Sequence, residues 1–224
     1  EMVANKSYWG TRPTEDHGTP AYHVFAVDSS DFQVAKTFES DTHGFQRADV
    51  KKSKRTVVHL RPNENGREFV IVYDRVEVGD DLTHCWQARC PAVPKVDGMT
   101  YTAVDQGQQI CGTMITPGMR MWAAGGEGKM NEHPDGKTWG SLHGVFLRDS
   151  EPGSIDWRHF GGGAVYAQPE VVSKNQTYCM VLEVGDEGFV PAPASFGSAI
   201  GSKVVNVDGW NVDFSVEDQT GVSR

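Results

Sequence analysis

The sequence predicts an all-β protein, a two-sheet antiparallel β-sandwich of the jelly-roll or supersandwich kind with little helix. Short runs of β-branched and aromatic residues recur along the 224 residues, and turn-forming residues separate them. Glycine occurs 25 times and proline 11 times, which suits a chain with many turns. No window of ten or more residues shows the apolar spacing of an amphipathic helix.

The predicted strands are short runs bounded by glycine, proline, asparagine, aspartate or charged residues. They are Tyr22–Asp28, Thr56–Leu60, Phe69–Val76, His84–Ala88, Thr100–Asp105, Gln109–Thr116, Ser141–Leu147, Ala164–Gln168, Tyr178–Glu183, Ser202–Val207 and Trp210–Val216.

Turn residues stand between these runs. Asp208-Gly209 is the strongest hairpin signal, because this pair suits a type I′ turn. Segments 63–66, 79–81 and 96–98 carry similar Asn, Asp and Gly signals.

The run Phe69-Val-Ile-Val-Tyr73 is apolar without interruption, so it is predicted to be a central strand that is covered on both faces. Asp74 and Arg75 are predicted to end it with opposite charges. Residues 125–137 are predicted to form a long glycine-rich loop. We interpret residues 1–224 as one sandwich domain, in which 202–216 is a terminal hairpin that returns to pair with the main sheets, since two short strands do not fold alone.

Charge excludes some classes of partner. The net charge of −9 argues against nucleic acid, which requires clustered Lys and Arg. The one basic run, 51–55 (KKSKR), is predicted to be the solvated entry to a strand; its functional alternative is a contact for an anionic polymer such as a uronic-acid glycan. No stretch approaches the roughly 18 apolar residues of a membrane span. No signal peptide is visible, and a start at Glu1 is typical of a mature or trimmed terminus.

Four cysteines, Cys85, Cys90, Cys111 and Cys179, lack the spacing of a zinc site. Either they are buried and reduced, or they form at least one disulfide, for which Cys90 with Cys85 or with Cys111 is the favoured pairing. Asn5 and Asn175 each begin an N-glycosylation sequon. Disulfides and glycans both indicate an extracellular or secreted protein, or a periplasmic one.

Four segments, taken in order, resemble the C-terminal β-sandwich region of the heparinase II/III-like polysaccharide lyases. The most specific is 55–62 (RTVVHLRP) followed by 69–76 (FVIVYDRV), which is similar to the family's arginine, apolar strand, Arg-Pro turn and closing strand. The others are 19–28 (TPAYHVFAVD) running on to Gln33, then 111–117 (CGTMITP) with 125–128 (GGEG), and finally 165–169 (VYAQP) with 178–186 (YCMVLEVGD).

The resemblance implies a link to uronic-acid polysaccharides, which these lyases cleave by β-elimination. The reaction needs a base, an acid and a group that neutralises the carboxylate. In the family most of these groups lie on a helical toroid, and this sequence has no helical pattern for one. The resemblance places His23 on a metal-binding histidine and Asn5 near an aspartate ligand. One histidine and one asparagine make a weak, vestigial site, so no cofactor is expected; the alternative is a structural divalent metal.

Other candidate residues are few. Tyr8 and Trp9 are weak candidates for a sugar subsite, or they pack against a sheet edge. His59 and His84 are predicted to be ordinary strand residues, and His133 with His143 is a pair worth checking for proximity. No Gly-x-Ser-x-Gly, P-loop or dinucleotide motif occurs.

These observations favour a non-catalytic, carbohydrate-associated extracellular module whose partners are a polysaccharide, other copies of itself or a helical partner domain. Two alternatives stay open. One is a polysaccharide lyase, or a fragment or subunit of one. The other is a structural protein that assembles through its sheet edges.

Overall fold

The computed structural model describes residues 7–12, 21–28, 50–62, 66–79, 84–125, 163–217 and 219–224, with only the backbone described for 7–12. This part of the chain consists of strands, turns and irregular segments, with no helix. The strands are β1 (Ser7–Arg12), β2 (Tyr22–Asp28), β3 (Val50–Leu60), β4 (Phe69–Val78), β5 (Trp86–Cys90), β6 (Lys95–Asp97), β7 (Thr100–Asp105), β8 (Gln108–Met114), β9 (Met119–Gly125), β10 (Gly163–Pro169), β11 (Asn175–Asp186), β12 (Ala194–Phe196), β13 (Val204–Val207), β14 (Trp210–Asp213) and β15 (Gly221–Ser223).

The described residues form three antiparallel sheets. The main sheet has eight strands in the order β1-β2-β3-β4-β11-β8-β7-β6. A three-stranded sheet, β5-β10-β9, packs on one of its faces, and a C-terminal sheet, β12-β13-β14-β15, packs on the other. The predicted all-β antiparallel sandwich is therefore confirmed, and the structure adds a third sheet to the two that were expected.

Strand β4 shows how one strand serves both faces. It lies between β3 and β11 in the main sheet, which confirms the prediction of a central, doubly covered strand. Phe69, Ile71 and Tyr73 point into the core under the C-terminal sheet, whereas Val72 points into the core under the three-stranded sheet. Asp74 and Arg75 do not end the strand, because β4 continues to Val78.

The two cores draw on alternate residues of the same strands, as the pleat of a β-strand requires. The C-terminal core combines Val58, Leu60, Phe69, Ile71, Tyr73, Cys179 and Val181 with Val205, Val207, Trp210, Val212, Phe214 and Val222 of the C-terminal sheet. The second core combines Val72, Tyr101, Met114, Tyr178 and Met180 with Trp86, Cys90, Met119, Met121, Val165 and Ala167 of the three-stranded sheet.

The C-terminal hairpin has the predicted turn. Asp208 and Gly209 have φ angles of 46° and 80°, so both adopt the left-handed conformation that a type I′ turn requires. The prediction that this hairpin pairs with the main sheet is wrong. Strands β13 and β14 pair with each other and with β12 and β15, and they meet the main sheet face to face.

The predicted disulfide is also wrong, because all four cysteines are free. Cys85 directly precedes β5 and Cys90 ends it, so an extended chain places them about 16 Å apart at roughly 3.3 Å per residue, whereas a disulfide joins Cα atoms about 4.4–6.8 Å apart. Cys90 belongs to the second core, while Cys111 pairs in register with Glu183 and so faces the opposite side with Val181. Cys179 is buried in the C-terminal core.

Several expectations lie outside the described residues: the predicted strand Ser141–Leu147, most of the 125–137 loop, and the pair His133 and His143. Within the described ranges, no helix is long and apolar enough to cross a membrane.

Candidate functional site

A polar row crosses the face of the main sheet that carries the second core. Val27, Arg55, Asp74 and Tyr178 are register partners on β2, β3, β4 and β11, so they form one line across four neighbouring strands. The apolar residues Val72 and Met180 of the second core share this face. The row therefore lies where the core beneath the three-stranded sheet gives way to polar side chains.

A cleft with a volume of about 420 Å³ opens above this row. Its floor is the row itself with Ser53 and Val76, and its wall is the segment 84–87, whose last two residues begin β5. Trp86 in this wall is buried in the second core. The three-stranded sheet thus covers part of this face and leaves the polar row at its margin.

Arg55 and Asp74 form a side-on ion pair in the floor. Arg55 Nε donates to Asp74 Oδ1 at 2.7 Å, and Nη2 donates to Oδ2 at 2.6 Å. The Asp74 side chain is 9% exposed and that of Arg55 is 49% exposed. The hydrogen bond to Asp74 raises the pKa of Arg55, so this side chain is a permanent cation.

Lys54 borders the cleft, but its ammonium group lies on the other face. Alternate residues of a strand point to opposite sides, and Lys54 shares its side with Val58 and Leu60 of the C-terminal core. There Lys54 Nζ pairs with Asp28 at 3.4 Å and with Glu217 at 3.0 Å. Of the basic run 51–55, therefore, Arg55 is the residue that presents its charge to the cleft.

His84 and Tyr178 join the wall to the floor. His84 Nε2 lies 2.6 Å from the Ser173 carbonyl oxygen, which only accepts, so Nε2 carries a proton. His84 Nδ1 lies 2.6 Å from the Tyr178 hydroxyl oxygen, and that hydroxyl also approaches the His84 carbonyl oxygen at 3.1 Å. Burial raises the pKa of Tyr178, and the neighbouring Cys85 and Asp74 add to the effect. The hydroxyl is therefore a neutral hydrogen-bonding group.

Cys85 is the exposed cysteine and also lines the cleft. Although the residue is exposed as a whole, partial desolvation raises the pKa of its thiol to about 11. Cys85 is consequently a protonated thiol at neutral pH and a weak nucleophile.

Of the two residues predicted for a metal site, the structure describes only His23. His23 faces His59 across β2 and β3, with ring centroids 5.7 Å apart and nearly parallel, and His59 contacts Glu68. Among the described residues no group of three or more His, Cys, Asp or Glu could hold a metal ion. Asn5 lies outside the described residues, so its predicted proximity to His23 stays a prediction.

The remaining sequence candidates are placed only in part. Tyr8 and Trp9 lie on β1 opposite Ala26 and Phe25, and their side chains are outside the described residues. Asn175 is exposed at the start of β11, so the sequon that it begins is accessible, and its glycosylation stays a prediction.

Sequence reasoning missed the cleft. His84, predicted to be an ordinary strand residue, instead precedes β5 and lies in the cleft wall. The available signal was Asp74, a carboxylate directly after five apolar residues of a central strand, because a buried charge requires a partner. Arg55 was the candidate partner, but the pairing depends on the register of β3 against β4.

A scan of this chain against models of protein families and a search of curated proteins each find no match.

Proposed function

We propose that this protein is a non-catalytic β-sandwich module that associates with carbohydrate outside the cell or in the periplasm, and that an acidic sugar binds in the cleft. The observation that carries the proposal is the half-exposed side chain of Arg55, a permanent cation in the cleft floor. An arginine stays charged at neutral pH and forms charge-assisted hydrogen bonds to carboxylates, and Arg55 keeps donors that Asp74 does not use. A volume of about 420 Å³ is also in the range of about 300–1,000 Å³ that is typical of small-ligand sites.

The resemblance to the sandwich region of the heparinase II/III-like lyases supports the same ligand class. Binding needs no cofactor. A separate helical domain, or further copies of the chain, would be the natural partners of such a module. The free cysteines give no support to an extracellular location, which rests on the resemblance and on the two sequons.

The alternative is a polysaccharide lyase, because Tyr178, His84 and Arg55 supply the residue types of β-elimination in one cleft. Two features favour a structural role for the tyrosine instead. Tyr178 is only 2% exposed, and its hydroxyl is engaged by both the ring and the carbonyl of His84. A raised pKa also makes this tyrosine a poor base at neutral pH.

The test is calorimetric binding of an oligosaccharide that contains glucuronic acid, with its neutral glucose counterpart for comparison. We expect Arg55→Gln to weaken binding of the acidic sugar about tenfold or more, since the lost bonds are charge-assisted. Arg120→Gln, which removes an exposed arginine from β9, is the matched control and should leave affinity unchanged.

Equal affinity of the wild type for the acidic and neutral sugars, or no binding of either, would refute the proposal. Absorbance near 235 nm reports the unsaturated product of β-elimination. A steady increase that Tyr178→Phe abolishes would establish the lyase alternative.

A further inference from the structure

We propose that Asp74 is a positioning residue, which fixes the plane of the Arg55 guanidinium and thereby makes the cleft select its ligand by direction rather than by net charge. The inference rests on the proposed function, because it concerns how the same cleft recognises an acidic sugar. It assigns a role to Asp74 that is distinct from neutralising the charge of Arg55.

The geometry of the ion pair leaves one part of the guanidinium for a ligand. Asp74 uses both carboxylate oxygens, one for Arg55 Nε and the other for Nη2. Two parallel bonds to a planar fork fix the orientation of the plane as well as its position. Nη1 takes no part in this pair, and the Arg55 side chain is half exposed. A ligand carboxylate therefore meets a nitrogen whose direction is already set.

Asp74 is well placed to serve as the fixed point. It lies on β4, between β3 and β11 in the interior of the eight-stranded sheet, and its side chain is almost fully buried. Arg55 is its direct register partner, so the pair spans the short distance between neighbouring strands. A group that is held in advance loses less conformational freedom when the ligand arrives.

Net charge in the cleft is too small to explain selection of an acidic ligand. Among the described residues that line it, the permanently charged side chains that face it are Arg55 and Asp74, one of each sign. The Lys54 ammonium is on the opposite face with Asp28 and Glu217. Attraction of an anion therefore depends on the direction of the Arg55 donors.

The substitution Asp74→Asn separates the two explanations by the sign of its effect. If Asp74 served only as a counter-charge, its removal would make the cleft more positive and would tighten binding of an acidic sugar. If Asp74 positions Arg55, the same change weakens binding, because an asparagine offers one acceptor where the guanidinium needs two.

We expect Asp74→Asn to weaken binding of the glucuronic acid oligosaccharide about tenfold and to reduce its preference over the neutral sugar. Asp74→Glu keeps the carboxylate, so it should recover part of the affinity and part of the preference for the acidic sugar. The matched control is Asp97→Asn, which makes the same charge change on exposed β6 and should alter affinity less than about twofold. Tighter or unchanged binding by Asp74→Asn would overturn the inference and leave the proposed function standing.

A second measurement needs neither the ligand nor a variant that folds well. In the wild type, the Arg55 Nε–H should give a nuclear magnetic resonance signal whose exchange with water is at least about tenfold slower than that of exposed Arg120, since a charge-assisted bond must open before exchange. Equal exchange would overturn the inference by itself. A wild type that binds no acidic sugar would instead refute the proposed function, so the two failures are distinguishable.

Discussion

The two faces of the main sheet are made from neighbouring residues of the same strands, yet one face is closed and the other is open along the cleft. Tyr73 and Cys179 are buried under the C-terminal sheet. Asp74 and Tyr178, one position away, belong to the polar row under the cleft. Because successive side chains alternate between faces, a single strand can serve a dry core and a polar site without conflict.

The closed face is held by aromatic contacts. The rings of Tyr73 and Phe214 stack with centroids 4.2 Å apart and an angle of 2° between their planes. The Arg75 guanidinium lies 4.9 Å from the Tyr73 ring centre and donates to the Phe214 carbonyl oxygen at 2.7 Å. On the open face, the neighbouring residues form polar pairs instead, Asp74 with Arg55 and Tyr178 with His84. The difference indicates that the C-terminal sheet contributes stability, whereas the margin of the three-stranded sheet borders the candidate site.

The largest loss of stability is expected when an aromatic ring is removed from the core of the closed face. Phe214→Ala removes a ring that is 1% exposed and leaves a cavity against Tyr73, so the free energy of unfolding should fall by about 3–5 kcal/mol. Val216→Ala, at a residue that is 54% exposed, should change it by less than about 0.5 kcal/mol. Urea denaturation measures both.

Affinity for the acidic sugar tests whether a change on the closed face affects the cleft on the open face. If the two faces are independent, Phe214→Ala should leave this affinity unchanged under conditions in which the variant is folded. A stability loss no larger than that of Val216→Ala would show that the C-terminal sheet does not hold the main sheet in this way.

What the sequence predicted well depended on local patterns. The apolar run of β4 and the Asp208-Gly209 turn carry their signals within a few residues, and both predictions are confirmed. The basic run 51–55 was harder, because its residues divide between two faces once β3 extends back to Val50. Lys54 and Arg55 therefore have different partners although they are adjacent in sequence.

The cleft and the cysteine pairing depend on contacts that sequence spacing does not reveal. Arg55 meets Asp74 only through the register of β3 and β4, and His84 meets Tyr178 across 94 residues of chain. In the same way, an even number of cysteines suggested a disulfide, but alternation places Cys90 and Cys111 on opposite sides of the main sheet. Contacts between residues that are distant in sequence can be identified only once the pairing and register of the strands are known.

An intermediate effect is expected at the joint between the cleft wall and its floor. Tyr178→Phe removes the hydroxyl that bonds the ring and the carbonyl of His84, and it leaves those groups without this partner. Stability should fall by about 1–2 kcal/mol. The measurement is a double-mutant cycle with His84→Gln by urea denaturation, in which the two losses should not add. If the two losses of unfolding free energy were strictly additive, the contact between His84 and Tyr178 would not stabilise the cleft wall against its floor.

The smallest effect is expected at Glu217, on the closed side. Its bonds to Lys54 and then Lys52 lower the pKa of this carboxyl to about 2 from the ordinary value of 4.5. A carboxyl with a depressed pKa adds stability above its ordinary value and loses that contribution as the pH falls toward 2. The group is exposed, so solvent screens the pairs and the contribution should be below about 1 kcal/mol.

The measurement compares wild type and Glu217→Gln by urea denaturation from pH 7 down to pH 2.5, with Glu187→Gln, at another exposed glutamate, as the control. The difference in the free energy of unfolding between wild type and Glu217→Gln should decrease as the pH is lowered. A difference that is as large at pH 2.5 as at pH 7 would contradict the ion-pair explanation. Because the Lys54 ammonium lies on the closed side, Glu217→Gln should also leave affinity for the acidic sugar unchanged. Tighter binding in this variant would mean that Lys54 reaches the cleft once it is released, and the separation of the two faces would then be incomplete.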